Sequence, residues 1–161
     1  KERAISIIQQ ADLICCLDFS SYERLKDMAS YVEKSKSKKL LVDHHLDPSI
    51  EAEFNYWNPN AAATCELIFD LIVELGCKDQ INLPIAECIY AGIMTDTGSF
   101  RFPSTSKKIH QIIAELIEIG VDNSRIHRLV YDNNSLERLQ FLGFALSEKL
   151  KVLPEYKTAY I

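Results

Sequence analysis

The chain has 161 residues, of which 47% are hydrophobic and 25% are charged, and its formal net charge is −5. This length and composition are typical of a globular domain with a sizeable core. The acidic balance argues against tight, non-specific binding of duplex nucleic acid, because that affinity comes mainly from Lys and Arg that neutralise phosphates. The net negative charge is compatible with a small phosphate ligand that is held by metals and a few local cations.

The cysteines do not have the spacing of a zinc ribbon or of a disulfide framework. Their number is odd, no C-x-x-C occurs, and they are Cys15, Cys16, Cys65, Cys77 and Cys88. We therefore expect buried free thiols in a reducing cytoplasm. No apolar segment approaches the length of a membrane span, so we expect no membrane partner.

Apolar periodicity predicts strands and helices that alternate along the chain. In chain order we expect the end of a helix (1–10), a buried strand (12–17), a helix from Ser20 or Ser21 to Lys34, strands (39–42 and 53–57), helices (61–76 and 84–95), a short strand (99–102) and helices (106–119, 122–131 and 135–149). Strand-like residues close the chain at 151–153 and 158–161. This alternation indicates an α/β fold with a mostly parallel sheet flanked by helices.

Metal-type ligands follow two of the predicted strands. Asp18 comes after the strand at 12–17, and Asp43, His44 and His45 come after the strand at 39–42. In open parallel sheets, ligand-binding residues gather beyond the carboxyl ends of the strands. Hard cations such as Mn²⁺ and Mg²⁺ favour carboxylate oxygens, and imidazole shifts the preference towards transition metals. The sequence therefore predicts a metal-assisted hydrolase.

A further acidic residue, Asp96, lies at the end of the predicted helix 84–95. A carboxylate beside the negative end of a helix dipole is unfavourable unless a cation compensates it, which favours a ligand role. An isolated Asp such as Asp18 is more often a helix cap, but the downstream motifs favour a ligand role there too. Arg101 follows Asp96 and could contact a phosphate, with a surface strand position as the alternative.

The two adjacent histidines are not expected to point in the same direction. One would ligate a metal, and its neighbour would face the phosphate of the substrate. Asp43 is well placed to orient an imidazole through a hydrogen bond.

These residues resemble the DHH phosphoesterase superfamily. The Asp-His-His triplet at 43–45, with Asp18 upstream, is followed about fifty residues later by the segment G-I-M-T-D-T-G-S-F-R-F at 92–102. That second motif is most similar to the branch of oligoribonucleases and phosphoadenosine-phosphate phosphatases. The resemblance covers roughly residues 10–145.

The resemblance implies a role for each candidate residue. Asp18 would bridge two Mn²⁺ ions, and His44 and Asp96 would each ligate a metal, with Mg²⁺ or Co²⁺ as alternative ions. His45 would face the substrate phosphate and act in catalysis with Asp43. The implied reaction is a two-manganese hydrolysis of short single-stranded oligonucleotides or nucleotide 3'-phosphates. A cyclic-dinucleotide phosphodiesterase and a non-catalytic nucleotide- or partner-binding module are the alternatives.

The resemblance also implies an upstream motif, a His followed by Asp-x-Asp, and a substrate domain after Ile161. We therefore expect a piece truncated at both ends: a DHH domain at 1–133 without its first strand, a connecting helix at 134–149 and the start of the substrate domain at 150–161. Alone, this piece is expected to be inactive. Its last strands, left unpaired, would favour a homo-oligomer, because open strand edges invite pairing with another chain.

Overall fold

A computed structural model describes residues 2–161. In chain order its helices and strands are α1 (Glu2–Gln10), β1 (Leu13–Leu17), α2 (Ala29–Glu33), β2 (Lys38–Asp43), β3 (Phe54–Trp57), α3 (Thr64–Glu74), α4 (Leu83–Asp96), α5 (Lys107–Ile119), α6 (Asn123–Tyr131), α7 (Leu136–Phe144), β4 (Lys151–Leu153) and β5 (Thr158–Tyr160). The chain divides into two compact units, one ending at Asp122 and one spanning Asn123–Ile161. The domain limits expected from the sequence, at residues 133 and 149, stay predictions.

The first unit is built around a parallel sheet in the order β1-β2-β3. Leu17 lies opposite Val42 in the β1–β2 pair, and Asp43 lies opposite Trp57 in the β2–β3 pair. Because the three strands run in one direction, their carboxyl ends meet at one edge of the sheet. The predicted α/β fold, with a parallel sheet flanked by helices, is confirmed.

The central strand β2 is buried on both faces. Leu41 packs into a cluster with Cys16, Val32 and Ile50, and Val42 packs on the other face into a cluster with Ala61 and Leu67. Burying one such aliphatic side chain contributes about 1.5–3 kcal/mol. This packing fixes the end of β2, from which Asp43 and the two histidines emerge.

Helix α4 carries Asp96 to the same region. The side chain of Asn82 accepts a hydrogen bond from the N–H of Ile85, and Pro84 lies in the first turn, where its missing N–H costs nothing. Residues along α4 are fully or almost fully buried: Ala86, Ile89, Tyr90, Ile93 and Met94. A well-capped, buried helix therefore ends at Asp96.

One helix predicted from the sequence, from Ser20 or Ser21 to Lys34, is broken in the structure. A 3₁₀ helix at Tyr22–Met28 precedes α2, and Lys26 within it interrupts the helical backbone with a φ of 49° and a ψ of −120°. Side chains from both halves, Tyr22, Leu25 and Val32, pack against the same core cluster. Tertiary packing has therefore overridden the helical periodicity.

The strand predicted at 99–102 is wrong. Gly98, Ser99 and Phe100 have φ values of 56°, 60° and 64°, which is left-handed backbone. The N–H of Ser99 donates to the carbonyl oxygen of Met94 (2.8 Å), and the N–H of Phe100 donates to Thr97 Oγ1 (3.1 Å). Because these donors bond within the turn, they are unavailable to a sheet.

The second unit contains α6, α7 and a hairpin. A π-helical turn at Ala145–Lys149 follows α7, and β4 pairs antiparallel with β5, with Leu153 opposite Thr158. The expectation that these strands are unpaired is therefore wrong, and self-association of the chain stays a prediction.

Across residues 2–161, no helix combines the length and the hydrophobicity that crossing a membrane requires.

The thiols are only partly as expected. All five cysteines are free, and Cys16 is buried, but Cys15 and Cys88 are exposed. Alternation along β1 explains the difference between the first two, because adjacent side chains of a strand point to opposite faces of the sheet.

Candidate metal centre

Asp18 directly follows β1 and lies at the carboxyl edge of the sheet. Its φ of 64° is left-handed, a conformation in which Asp is enriched several-fold over most residues. Its N–H donates to the carbonyl oxygen of Val42 (3.1 Å), so the backbone is still joined to β2. The hydroxyl of Thr64, at the start of α3, donates to Asp18 Oδ1 (2.7 Å). The carboxylate is thus held in place while its side chain remains 56% exposed.

The ring of His44 is fixed by a backbone carbonyl. Its Nδ1 lies 3.1 Å from the carbonyl oxygen of Ala61, and because that oxygen can only accept, Nδ1 carries a proton. In the neutral ring the lone pair is then on Nε2. Nε2 lies 3.8 Å from Asp18 Oδ1 and 3.8 Å from Asp96 Oδ2. The Nε2 atom of His44 therefore faces two carboxylates, and its lone pair does so when the ring is neutral.

At Asp96, the last residue of α4, the surroundings favour the neutral carboxyl group over the carboxylate. Burial raises the pKa of its carboxyl group, and the nearby charge of Asp18 raises it further, while His44 and His45 lower it. Its side chain is 38% exposed, so water offsets part of this cost. Two carboxylates and an imidazole nitrogen within a few ångströms form a site that a divalent cation would stabilise.

The donor set fits a transition metal of intermediate hardness. One ligand atom from each of Asp18, His44 and His45 lies within 4.8 Å of the other two. Burial, and then the carboxylates of Asp96 and Asp18, raise the pKa of the Cys65 thiol to about 11, so it supplies no thiolate at neutral pH. Carboxylate oxygens with imidazole nitrogens suit ions such as Mn²⁺ and Co²⁺. The ligand assignments themselves stay predictions.

Asp43 organises both histidines from within the core. It is fully buried, and its Oδ1 accepts hydrogen bonds from the N–H of His44 (2.8 Å), from the N–H of His45 (3.2 Å) and from His45 Nδ1 (2.7 Å). Its Oδ2 accepts no hydrogen bond from any of residues 2–161. Since the carboxylate holds the proton of His45 on Nδ1, the other ring nitrogen, Nε2, is available to a ligand.

The two imidazoles lie side by side. Their ring centroids are 4.9 Å apart and their planes are inclined by 69°. The expectation that one of these histidines is directed at a metal and the other at a phosphate stays a prediction. Their anchors nonetheless differ, because the carbonyl oxygen of Ala61 holds the first ring and the carboxylate of Asp43 holds the second.

Arg101 lies in the turn that follows Asp96. Its Nε donates to the carbonyl oxygen of Gly98 (2.7 Å), and its side chain is exposed. This bond holds the guanidinium along its own turn. A contact between Arg101 and a substrate phosphate stays a prediction.

Three residues that the sequence did not single out support this site. Thr64 binds Asp18, Trp57 donates from Nε1 to the carbonyl oxygen of His45 (2.7 Å), and Glu66 accepts from the N–H of Ala62 (2.8 Å). The strand-end rule could have identified Trp57, because it ends β3 at the same edge. Thr64 and Glu66 lie in the first turn of α3, where such residues are ordinary and give no signal of a functional role.

A model of the family described as "DHH family, N-terminal domain" matches residues 1–93, more than half of the chain. The chain belongs to the DHH family. The matched span contains Asp18 and the triplet at 43–45 and ends shortly before Asp96. The superfamily assignment made from the sequence is confirmed.

Relatives in this family carry informative names. The chain is 30% identical over 142 residues to the bifunctional oligoribonuclease and PAP phosphatase NrnA of Bacillus subtilis, covering 84% of this chain and 44% of that protein. It is 36% identical over 80 residues to the protein of the same name from Thermus thermophilus, covering 50% of this chain and 24% of that protein. The resemblance to this branch of the superfamily is therefore confirmed.

A solved structure supports the fold. The crystal structure of an exopolyphosphatase-related protein from Bacteroides fragilis aligns with a TM-score of 0.94 at 40% identity, covering 98% of this chain and 46% of that chain. The chain thus spans less than half the length of each of these three proteins.

Proposed function

We propose that this chain belongs to a metal-dependent phosphoesterase that hydrolyses short single-stranded oligonucleotides or nucleotide 3'-phosphates. The observation that carries the proposal is the position of His44 Nε2, which lies 3.8 Å from a carboxylate oxygen of Asp18 and 3.8 Å from one of Asp96. Membership of the DHH family and the names of the relatives support the substrate class.

In this proposal Asp18, His44 and Asp96 hold the metal. Mn²⁺ is the proposed ion, with two ions in the complete protein and Mg²⁺ or Co²⁺ as alternatives. Asp18 suits a bridging role because a carboxylate has two oxygens that can serve different cations. When bound, the cations supply positive charge to the phosphate oxygens and acidify water.

His45 and Asp43 act on the substrate side. The hydrogen bond from His45 Nδ1 to Asp43 fixes the ring and its tautomer. His45 Nε2 can then donate to a phosphate oxygen or hold a proton there. Trp57 restrains the same residue through its backbone oxygen. In this proposal His45 recognises the phosphate, and the metal is held by Asp18, His44 and Asp96.

A substrate panel with the full-length protein tests the proposal. Short RNA oligonucleotides and phosphoadenosine phosphate should be hydrolysed with Mn²⁺, and chelation should abolish the activity until Mn²⁺ is restored. Asp79→Asn, at an exposed carboxylate, should leave the rate unchanged. Hydrolysis that persists after complete chelation would contradict the proposal. If a cyclic dinucleotide is cleaved faster than these substrates, the protein would be a cyclic-dinucleotide phosphodiesterase instead. Binding without turnover would indicate a non-catalytic module.

A further inference from the structure

The loop between β3 and α3 reaches the His44 ring through a single peptide group. The carbonyl oxygen of Ala61 accepts from His44 Nδ1, and the N–H of Ala62 belongs to the same peptide unit. A peptide unit is planar, so its C=O and N–H rotate together. Any group that fixes the Ala62 N–H therefore fixes the direction of the Ala61 carbonyl.

Glu66 is that group. Its Oε2 accepts from the N–H of Ala62 at 2.8 Å, and the alanines at 61, 62 and 63 are buried and offer no polar side chain. The carboxylate itself is only 8% exposed. A buried charge is costly unless it is paired, so the position of Glu66 has to be stabilised from elsewhere.

Lys108 on α5 provides this stabilisation. Its Nζ lies 3.0 Å from Glu66 Oε1 and also bonds to Asp70. Desolvation lowers the pKa of Lys108, but its hydrogen bonds to Asp70 and Glu66 outweigh this effect and raise it. Glu66 is thus bonded through both oxygens, one to the loop and one to a neighbouring helix. That arrangement leaves it little freedom to rotate.

We propose that Glu66 is a positioning residue for His44: it fixes the Ala61–Ala62 peptide and thereby keeps the imidazole protonated on Nδ1 with Nε2 directed at the carboxylates. The metal-related part of this inference rests on the proposed function. A carboxylate near a helix start can also act only as a cap, which would stabilise α3 without changing His44.

Three variants separate these roles in the full-length protein. Glu66→Met keeps the length of the side chain and removes both acceptors, whereas Glu66→Gln keeps one acceptor for the Ala62 N–H. Asp70→Asn is the matched control, since it also removes a carboxylate bonded to Lys108 from the same helix but has no bond to Ala62. Thermal unfolding should be recorded for all three, to compare their stabilities.

The readouts are the tautomer of His44, measured by imidazole ¹⁵N NMR in the metal-free protein at alkaline pH, and Mn²⁺ affinity, measured by calorimetry. In wild type and Asp70→Asn, His44 should be protonated on Nδ1. Glu66→Met should populate the other tautomer and raise the Mn²⁺ dissociation constant by about 10–100-fold, the usual effect of losing a residue that orients a ligand. Glu66→Gln should lie between the two.

An unchanged His44 tautomer in Glu66→Met, whatever its stability, would overturn the proposal. If Glu66→Met does not fold, Glu66→Gln and Asp70→Asn decide, and equal tautomer populations in these two would equally overturn it. If wild type binds no Mn²⁺, the proposed function loses its metal, but the tautomer comparison still decides the role of Glu66.

Discussion

The two sides of the candidate metal centre are built differently. On the sheet side, His44 and His45 follow a buried strand, and Asp43 and the Ala61 carbonyl fix both rings by hydrogen bonds. On the helix side, Asp96 ends α4 with a raised pKa, caused by burial and by the charge of a neighbouring carboxylate. The sheet side is therefore organised before any ligand binds, whereas the helix side lacks a positive charge that fully compensates the carboxylate of Asp96.

This difference separates geometry from charge. Changes on the sheet side should alter the direction of a ring while leaving the net charge of the ligands intact. Changes on the helix side should alter the repulsion that a cation relieves. Substitutions at Asp18, on each side of the site and in the turn after Asp96 test this division.

Asp18 lies between the two sides, and its loss should have the largest effect. Asp18→Ala should lower Mn²⁺-dependent hydrolysis by the full-length protein by at least about 10³-fold, because metal ions stabilise the transition state by several kcal/mol. His45→Ala should instead lower turnover with little change in Mn²⁺ affinity. Steady-state kinetics and metal titration of both variants provide the measurement. An equal loss of Mn²⁺ affinity in both would show that these roles are wrong.

Asp43→Asn tests the hydrogen bonds of the sheet side. The amide oxygen can still accept from the backbone N–H groups, but the charge that orients and polarises His45 is lost. Turnover should fall by roughly 10–100-fold, and the Mn²⁺ dissociation constant should change much less. Single-turnover kinetics at saturating Mn²⁺ would measure this. A variant that loses metal affinity while keeping its turnover would place Asp43 with the ligands.

Gly98→Ala tests the turn that follows Asp96. An added Cβ would lie 2.5 Å from the Phe102 ring, and the φ of 56° disfavours any L side chain. Gly76→Ala is the matched control, since its φ is 71° but no atom lies within 4 Å of an added Cβ. The left-handed backbone alone should cost about 1–2 kcal/mol in each variant.

The clash should make Gly98→Ala less stable than its control by roughly another 1 kcal/mol, the usual size of a mild overpacking cost. Denaturant unfolding with chelator would measure both free energies. Only Gly98→Ala should weaken Mn²⁺ binding, by a few-fold, because Asp96 is two residues away. Equal Mn²⁺ affinity in the two variants would show that the turn does not position Asp96.

The sequence allowed the sheet side to be predicted because its signals are local. β1 and β2 are short apolar runs, and parallel strands bring the residues that follow them to one edge, so Asp18 and the triplet at 43–45 could be placed together. The direction of the His44 ring could not be predicted, because it depends on the Ala61 carbonyl, which no side-chain pattern reveals. The His45 ring is held by Asp43, whose orienting hydrogen bond the sequence did indicate.

The helix side was harder to predict. The alternation at 99–102 suits a short strand as well as a turn, and the buried hydroxyl of Thr97, which accepts from Phe100, decides between them. Glu66 was missed for another reason. Its pairing with Lys108 joins two helices far apart in sequence, and neither residue lies in a recognisable motif.

The smallest effect is expected for Asp96→Asn in the absence of metal. Because folding raises the pKa of this carboxyl group, its ionised form destabilises the native state at neutral pH. As the pH falls through the raised pKa the carboxyl binds a proton and this cost disappears. Asp96→Asn should therefore stabilise the metal-free protein at neutral pH, by at most about 1 kcal/mol, since solvent screens a side chain that is 38% exposed.

The gain should shrink as the pH falls through the raised pKa and vanish below the ordinary pKa of an aspartate, where the carboxyl is neutral in both the folded and the unfolded protein. With Mn²⁺ the order should reverse, because the wild type gains binding free energy that the amide variant loses. Urea unfolding at neutral pH and below that ordinary pKa, with chelator and then with Mn²⁺, tests this. Asp79→Asn, at an exposed carboxylate, should show neither change. If Asp96→Asn destabilised the metal-free protein at neutral pH, the charge of Asp96 would already be compensated, and the contrast between the two sides of the site would be wrong.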